Sequence, residues 1–283
     1  MASRPLPLHV EPAPDPIDRE LEPLLGEPFA SAWAADDSGT RATSSALRGR
    51  LLGRLAASRA ASNPMFTARR RHLATVELAA GVRARTLYTA APDHALRPGE
   101  PLQVRMIELQ AGAKWSGPAT ENHREWLVLA GSVHLGEDIL TLRDYHVDPA
   151  GTAVQPVRSY DGALIFLRES ALSLGAAETS FTIRDEDAGW PDFAPGIQRR
   201  VLWQHDGQAA MLYYAQPGAS VPVHTHEYDE ECLMVQGELF LDDVLLQEGD
   251  YQLAPAGTGH QITETDTGVV IYAHGDLDLK LVA

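Results

Sequence analysis

The chain has one cysteine, Cys232, in 283 residues. That excludes an internal disulfide framework and any zinc finger built from cysteines of one chain. Basic residues are scarce. Lys and Arg number 23 against 39 Asp and Glu, a formal charge of −16. A field of that sign repels phosphate, so neither nucleic acid nor an anionic membrane surface is expected as a partner. No apolar run approaches the roughly 18 to 20 residues of a membrane helix. The first 18 residues lack the apolar stretch of a signal peptide. The expectation is a soluble cytoplasmic protein. No Gly-rich phosphate loop, dinucleotide fingerprint or Gly-x-Ser-x-Gly elbow occurs, so nucleotide enzymes and serine hydrolases have no support.

What the sequence does contain is ample material for a core, with 44% hydrophobic residues. Residues 1–43 carry proline and acidic residues without periodicity and read as a flexible arm. Residues 44–64 read as a helix: Ser44 or Ser45 caps it, and Leu47, Leu51, Leu52 and Leu55 form a stripe at helical spacing. Asn63-Pro64 ends it. After Phe66 the pattern changes to short β-rich runs between Gly, Pro and Asp turns. Val104–Leu109, Trp126–Leu129, Leu164–Leu167, Ala209–Ala215, Leu233–Val235, Glu238–Leu241 and Val269–Ala273 read as strands.

An internal repeat fixes the organisation. QAGA from Gln110 matches QPGA from Gln216. LVLAG ending at Gly131 matches LMVQG ending at Gly237. DYHVDPAGTAVQ from Asp144 matches DYQLAPAGTGHQ from Asp250. Each pair is 106 positions apart. Earlier matches, Phe66 with Phe181 and Gly81 with Gly196, are 115 apart, so the first copy carries nine extra residues around Asp93–Glu100. Two copies of one all-β module are expected, at 65–172 and 173–283.

The second copy holds the chemistry. His224, His226 and Glu230 share strand parity, so a strand and its continuation point them to one face. Glu231 points away. His260, after the Pro255-Ala256-Gly257 turn, reaches the same face from a neighbouring strand. Three imidazoles and a carboxylate suit a divalent first-row metal, and Zn, Fe, Mn and Ni all accept such a set. In the first copy Pro118, Thr120, Arg124 and Val154 stand at these four positions, so that barrel is expected to hold no metal. Cys232 and Tyr228 share the inward parity, Met211 and Tyr213 share one parity on their own strand, and all four are candidate pocket residues. A buried free cysteine is also an ordinary small core residue.

Gly218, His224, His226, Glu230 and Gly237 fill G-x5-H-x-H-x3-E-x6-G, and Gly249, Pro255, Gly257 and His260 fill G-x5-P-x-G-x2-H. These motifs resemble those of the cupin family. Glu264 stands where the family's second motif ends in Asn, a position that is not a ligand. The resemblance implies two tandem double-stranded β-helix (jelly-roll) barrels behind a short helical segment. It also implies one divalent metal in the C-terminal barrel, zinc foremost, and a homodimer. Within the family the run from His224 to Glu231 and the GDYQLAPAGTGH segment look most like ChrR-type cupins, which include zinc-containing anti-sigma factors. That resemblance implies a regulatory, stress-sensing role. The alternative it carries is an Fe(II)-dependent dioxygenase cleaving a small diketone or hydroxyaryl ketone, and a further one is a non-catalytic, metal-stabilised binding module. Anti-sigma members have an N-terminal helical module with its own His/Cys zinc site. Residues 1–65 contain no cysteine and only His9, so a sigma-factor partner lacks that module here.

Overall fold

A computed structural model describes residues 64–118, 121–153, 155–171 and 179–282, together with Arg48, Gly49, Leu52 and Gly53. The expected arm at 1–43 lies outside the described residues. So does the helix at 44–64, apart from those four positions and Pro64. Among the described residues no helix is long and apolar enough to cross a membrane.

Two large antiparallel sheets dominate, and their strand orders correspond position by position under the repeat. One runs Phe181–Ile183, Tyr145–Asp148, His123–Gly131, Ala163–Ser170, Pro101–Leu109, Val82–Thr89, Val76–Ala79. The other runs Phe66–Ala68, Tyr251–Ala254, Glu230–Leu241, Val269–Asp276, Gln208–Ala215, Ile197–His205, Asp192–Ala194. Shorter strands close each into a barrel. Lys114–Trp115, Val157–Arg158, Val133–Leu135 and Asp138–Leu140 do so in the first. In the second, Ser220–Val221, Thr263–Glu264 and Val244–Gln247 form one closing set. His224–Thr225, Gly259–His260 and Lys280–Leu281 form another.

The two sheets exchange their first strands. Phe66–Ala68, which opens the first copy, pairs with Tyr251–Leu253 of the second. Phe181–Ile183, which opens the second, pairs with Tyr145–Val147 of the first. Equivalent polar clamps secure both crossings. Asp250 accepts from Arg70 N (2.9 Å) and Arg69 Nη1 (2.8 Å), while Asp144 accepts from Asp185 N (2.8 Å) and Arg184 Nη1 (3.2 Å). The arginines also reach the carbonyls of Leu245 and Ile139. Sheet membership therefore crosses the repeat boundary, which a linear division of the chain does not convey.

Three apolar cores follow from strand alternation. Ile107, Val128 and Ile165 face the interior of the first barrel. Met234, Leu239 and Ile271 face that of the second. The opposite faces of both sheets, with Val104, Leu127, Phe166, Leu212, Leu233 and Tyr272, pack together in a third core between the barrels. Central strands are thus buried on both faces, which is why Ala163–Ser170 and Val269–Asp276 read as apolar runs rather than as alternation.

Leu233–Val235 and Glu238–Leu241 belong to one strand, Glu230–Leu241, with a register shift between Met234 and Gln236. Gly237 does not end it. Its φ is 78°, and a Cβ there would meet the Gly268 carbonyl oxygen at 2.2 Å. Only glycine lets the strand bend from the large sheet into the closing one. Gly131 does the same in the first copy, with φ 70° and the Gly162 oxygen at 2.1 Å.

The core between the barrels contains a charged network. Arg168, fully buried, donates to Glu125 Oε1 (2.7 Å) and to Glu231 Oε1 (2.8 Å from Nε, 2.6 Å from Nη2). Its Nη2 also reaches the Gly99 carbonyl. Tyr272 donates to Glu125 Oε2 at 2.7 Å, Tyr251 to Glu231 Oε2 at 2.8 Å, and Tyr145 also reaches Glu125. Glu125 and Glu231 are repeat equivalents, as are Tyr145 and Tyr251. Arg168 is the equivalent of His274, whose Nδ1 lies 3.3 Å from Nη2. The nine-residue insertion of the first copy seals this region: Gln208 donates to the Pro98 carbonyl (3.2 Å) and Arg97 to Asp229 (3.1 Å).

Candidate metal centre

His224 lies on the strand His224–Thr225, paired directly opposite His260. The strand then breaks. His226 is held by its own backbone, which donates to the Thr258 carbonyl (2.9 Å) and accepts from Gly257 N (2.8 Å). Glu230 opens the next strand. The shared face is therefore built by two strand ends and the turn between them.

Imidazole centroids of His224, His226 and His260 lie 5.1, 5.2 and 5.7 Å apart, each ring tilted or edge-on to the next. Glu230 Oε2 is 3.3 Å from His226 Nε2 and 3.7 Å from His260 Nε2. Donor atoms of His224, His226 and Glu230 fall within 4.8 Å of one another. Ligands at about 2.1 Å from one ion lie roughly 3–3.5 Å apart, so the spacing is near that of a coordinated set.

The fit to a metal also rests on unmet hydrogen bonding. The three histidines are buried, yet both ring nitrogens of His226 and Nε2 of His260 lack hydrogen-bond partners. Leaving buried polar atoms unpaired is costly, and several aimed at one point call for a shared partner. The outer nitrogens are anchored: His224 Nδ1 is 2.9 Å from the Pro222 carbonyl, and His260 Nδ1 is 3.3 Å from Asp242 Oδ2. Such anchoring turns Nε2 inward and fixes the tautomer. Asp242 is itself held by the backbone N–H groups of Gln261 (2.8 Å) and Ile262 (3.2 Å). Burial alone would raise its carboxyl, but the His260 contact and those N–H groups hold it below the ordinary carboxylate value. Burial lowers His226 to about 4, and neighbouring His260 adds to the effect. Burial likewise lowers His224. His224 and His226 are thus neutral imidazoles at pH 7, the form that ligates metals.

Beside the cluster the second barrel encloses a cavity of about 60 Å³. His224 and Glu230 line its polar end, and Cys232 and Tyr213 line its wall. Burial, and then the nearby carboxylates of Glu230 and Glu231, push the Cys232 thiol well up, so it is a neutral thiol. Met211 lies beside the cavity as acceptor of the Tyr213 hydroxyl (3.4 Å), and Tyr228 packs over the Gly207 turn; neither lines the cavity. Glu231 points the other way, to Arg168.

In the first copy Arg124 stands at the Glu230 position, buried and paired with Asp148 (3.3 Å), which also accepts from Trp126 Nε1 (2.9 Å). Thr120 and Val154 lie outside the described residues. Asp242 escaped the sequence reading. Its one signal is the repeat, where Gly136 takes its place. The Arg168 network left a stronger signal: charges inside apolar strand runs.

The profile of the ChrR cupin-like domain matches residues 178–278. Solved structures with the same fold include a candidate dioxygenase from Nostoc punctiforme, 15% identical, covering 77% of this chain and 85% of that one at a TM-score of 0.57. A variant of oxalate decarboxylase from Bacillus subtilis is 16% identical, covering 74% and 76% at a TM-score of 0.56. The chain has the cupin fold, and residues 178–278 match the ChrR cupin-like domain. A third similar structure is a bacterial pirin from Escherichia coli in complex with nickel(II), 11% identical, covering 77% and 100% at a TM-score of 0.57. At these identities the likeness is one of fold. Among curated proteins no relative matches the sequence. In this cupin fold the two motifs meet at one point of the second barrel, with His224, His226 and His260 around Glu230.

Proposed function

We propose that this cupin-fold protein binds one divalent metal ion in its C-terminal barrel through His224, His226, Glu230 and His260, and acts on a small molecule held beside it. The observation that carries the reading is the convergence of inward imidazoles with unpaired nitrogens on Glu230, at the polar end of an apolar cavity. A buried structural ion would not need that space. A bound ion supplies Lewis acidity and, if it is iron, electrons for oxygen chemistry. The chain's own residues do the rest. His224 and His260, fixed from outside, hold the centre rigid. Glu230 lines the cavity and serves as ligand or as acceptor of a proton from the bound molecule. The apolar wall excludes water. A dioxygenase is the reaction class these features suit, in line with the Nostoc punctiforme structure's description.

A second reading, a stress-sensing regulator, is favoured by the match of 178–278 to the ChrR-like domain and by Cys232 on the cavity wall. The test is elemental analysis of protein purified without added metal, beside His224→Ala/His226→Ala. Near-stoichiometric iron, manganese or nickel that is lost in the variant supports the enzyme and leads to oxygen-uptake assays. Zinc lost in the same way supports the regulator and leads to partner searches. Metal retained by the variant overturns the site.

A further inference from the structure

The two copies share turns, register and sheet order, so their barrel interiors can be compared position by position. Behind the ligand cluster four positions lose much volume in the second copy, while Tyr213 for Ile107 and Leu239 for Val133 return a smaller part of it. Where the second barrel has Ala215, Val221, Cys232 and Ala273, the first has Leu109, Trp115, Trp126 and Leu167. All four of the larger side chains are buried in the first barrel's core. All four smaller ones line the cavity of the second. One fold, with the same glycine bends, is therefore filled in one copy and hollowed in the other. The hollow copy is the one that keeps the histidines. Burial of apolar side chains stabilises in proportion to the area removed from water, so four reductions in size at one place oppose stability and call for another role.

The wall defines what fits. Among the described residues no Lys, Arg, Asn or Gln lines the cavity, and the Glu230 carboxylate stands at its polar end. Arg199, opposite Tyr213 on the paired strand, does not line the cavity and is engaged by the Tyr213 hydroxyl, the Leu277 carbonyl (2.6 Å) and the Phe193 ring (4.2 Å). Away from the metal end, an anion would be desolvated with no cationic side chain to receive it. Tyr213 and Thr263 add hydroxyls where the first copy has Ile107 and Val157, and that of Thr263 is buried without a partner. A water-sized group needs about 10–15 Å³ of such space, so 60 Å³ holds roughly four to six non-hydrogen atoms.

We infer that the cavity is a binding chamber for a small, uncharged, largely apolar molecule carrying one polar group for Thr263, and that Cys232 and Ala273 set its size. The inference builds on the proposed metal site only for which end of the chamber is reactive. The test uses the zinc-loaded full chain with ¹³C-labelled methyl groups, titrated with cyclopentanone and, separately, with malonate. Zinc content is measured independently on every sample. Cyclopentanone should give saturable shifts of the Ile197, Val221, Leu239 and Ile271 methyls, and malonate at equal concentration should not. Cys232→Trp and Ala273→Leu, each the first copy's residue, should weaken cyclopentanone binding at least tenfold with zinc content unchanged. Ala273→Leu is the smaller change and serves if the tryptophan variant does not fold. Malonate shifting the same methyls as strongly, or undiminished cyclopentanone binding in a folded variant, overturns the inference. Wild type that takes up no zinc, yet whose methyls respond to cyclopentanone alone, would refute the metal reading and uphold the chamber.

Discussion

Replacing Arg168 with Met tests the buried network between the barrels. Arg168 is enclosed on all sides and gives hydrogen bonds to Glu125, Glu231 and the Gly99 carbonyl. Burial alone would raise Glu125; Arg168, with His274 and His123, holds it far below its ordinary value. One arginine cannot neutralise two carboxylates. Glu231 is the member pushed upward, by burial and by repulsion from Glu125. Methionine keeps the volume and strands both acids. Removing one partner of a buried pair costs about 3–5 kcal/mol. At about 2–4 °C per kcal/mol for this size, Tm should fall by roughly 6–20 °C. The deficit should be pH-dependent. Without Arg168 both carboxyls acquire folded-state pKa values above their unfolded ones. Their protonated forms then favour the fold, so the variant approaches wild type as pH drops to 5 and falls further behind above it. Adding Glu125→Gln and Glu231→Gln removes the stranded charges and should restore more than half of the loss at pH 7.5. Thermal and urea unfolding of the three proteins at both pH values is the assay. A single variant within 3 °C of wild type, or a triple variant no better than the single, refutes the reasoning.

Asp242→Ala should weaken metal binding by roughly 10- to 100-fold, because it frees the His260 ring, with global unfolding changed far less; competition with a chelating dye measures it. Asp144→Ala and Asp250→Ala each remove a clamp on an exchanged strand. Each should cost roughly 2–3 kcal/mol for its orphaned N–H groups and arginine, read by urea unfolding, and equal effects are expected from the repeat. His123 is fully buried and lowered to about 4 by that burial. Its unfolded value is higher, so its contribution is complete above pH 6.5 and is lost as pH falls toward 4. His123→Phe should flatten that limb of the stability curve by about 3 kcal/mol, as urea midpoints across pH will show.

The motifs made the site legible because each ligand sits at a fixed offset from a glycine or proline that bends the chain. Gly237 and Gly257 are forced by positive φ, so the spacing between them records geometry. Repeat arithmetic made the two barrels legible for the same reason. Exchange of Phe66–Ala68 and Phe181–Ile183 was not legible, since a three-residue strand reads the same whichever sheet receives it. Nor was the strand through Gly237, where glycine marks a bend rather than an end. The outward course of Glu231 followed from parity, but its partner did not. Pairing Arg168 with an acid 63 residues away requires knowing that the two sheets stack face to face.

That pairing assigns work to the first barrel. Glu230 and Glu231 are adjacent on one strand and alternate in direction, one toward the candidate metal, the other toward Arg168 of the neighbouring barrel. Cross-strand partners fix the backbone there on both sides: Glu230 opposite Ala254, Glu231 opposite Leu253 and His274. The carboxylate behind the ligand is thereby clamped by an arginine that the first copy supplies, itself held by the Gly99 carbonyl from the insertion that only the first copy has. Its own equivalent of Glu230 is Arg124, tied to Asp148, and its interior is filled by two tryptophans 6.4 Å apart. Those substitutions make the first barrel rigid where the second is hollow. A duplicated fold can then separate two requirements that conflict within one barrel: a densely packed body that fixes the ligand strand, and an open interior beside the ligands.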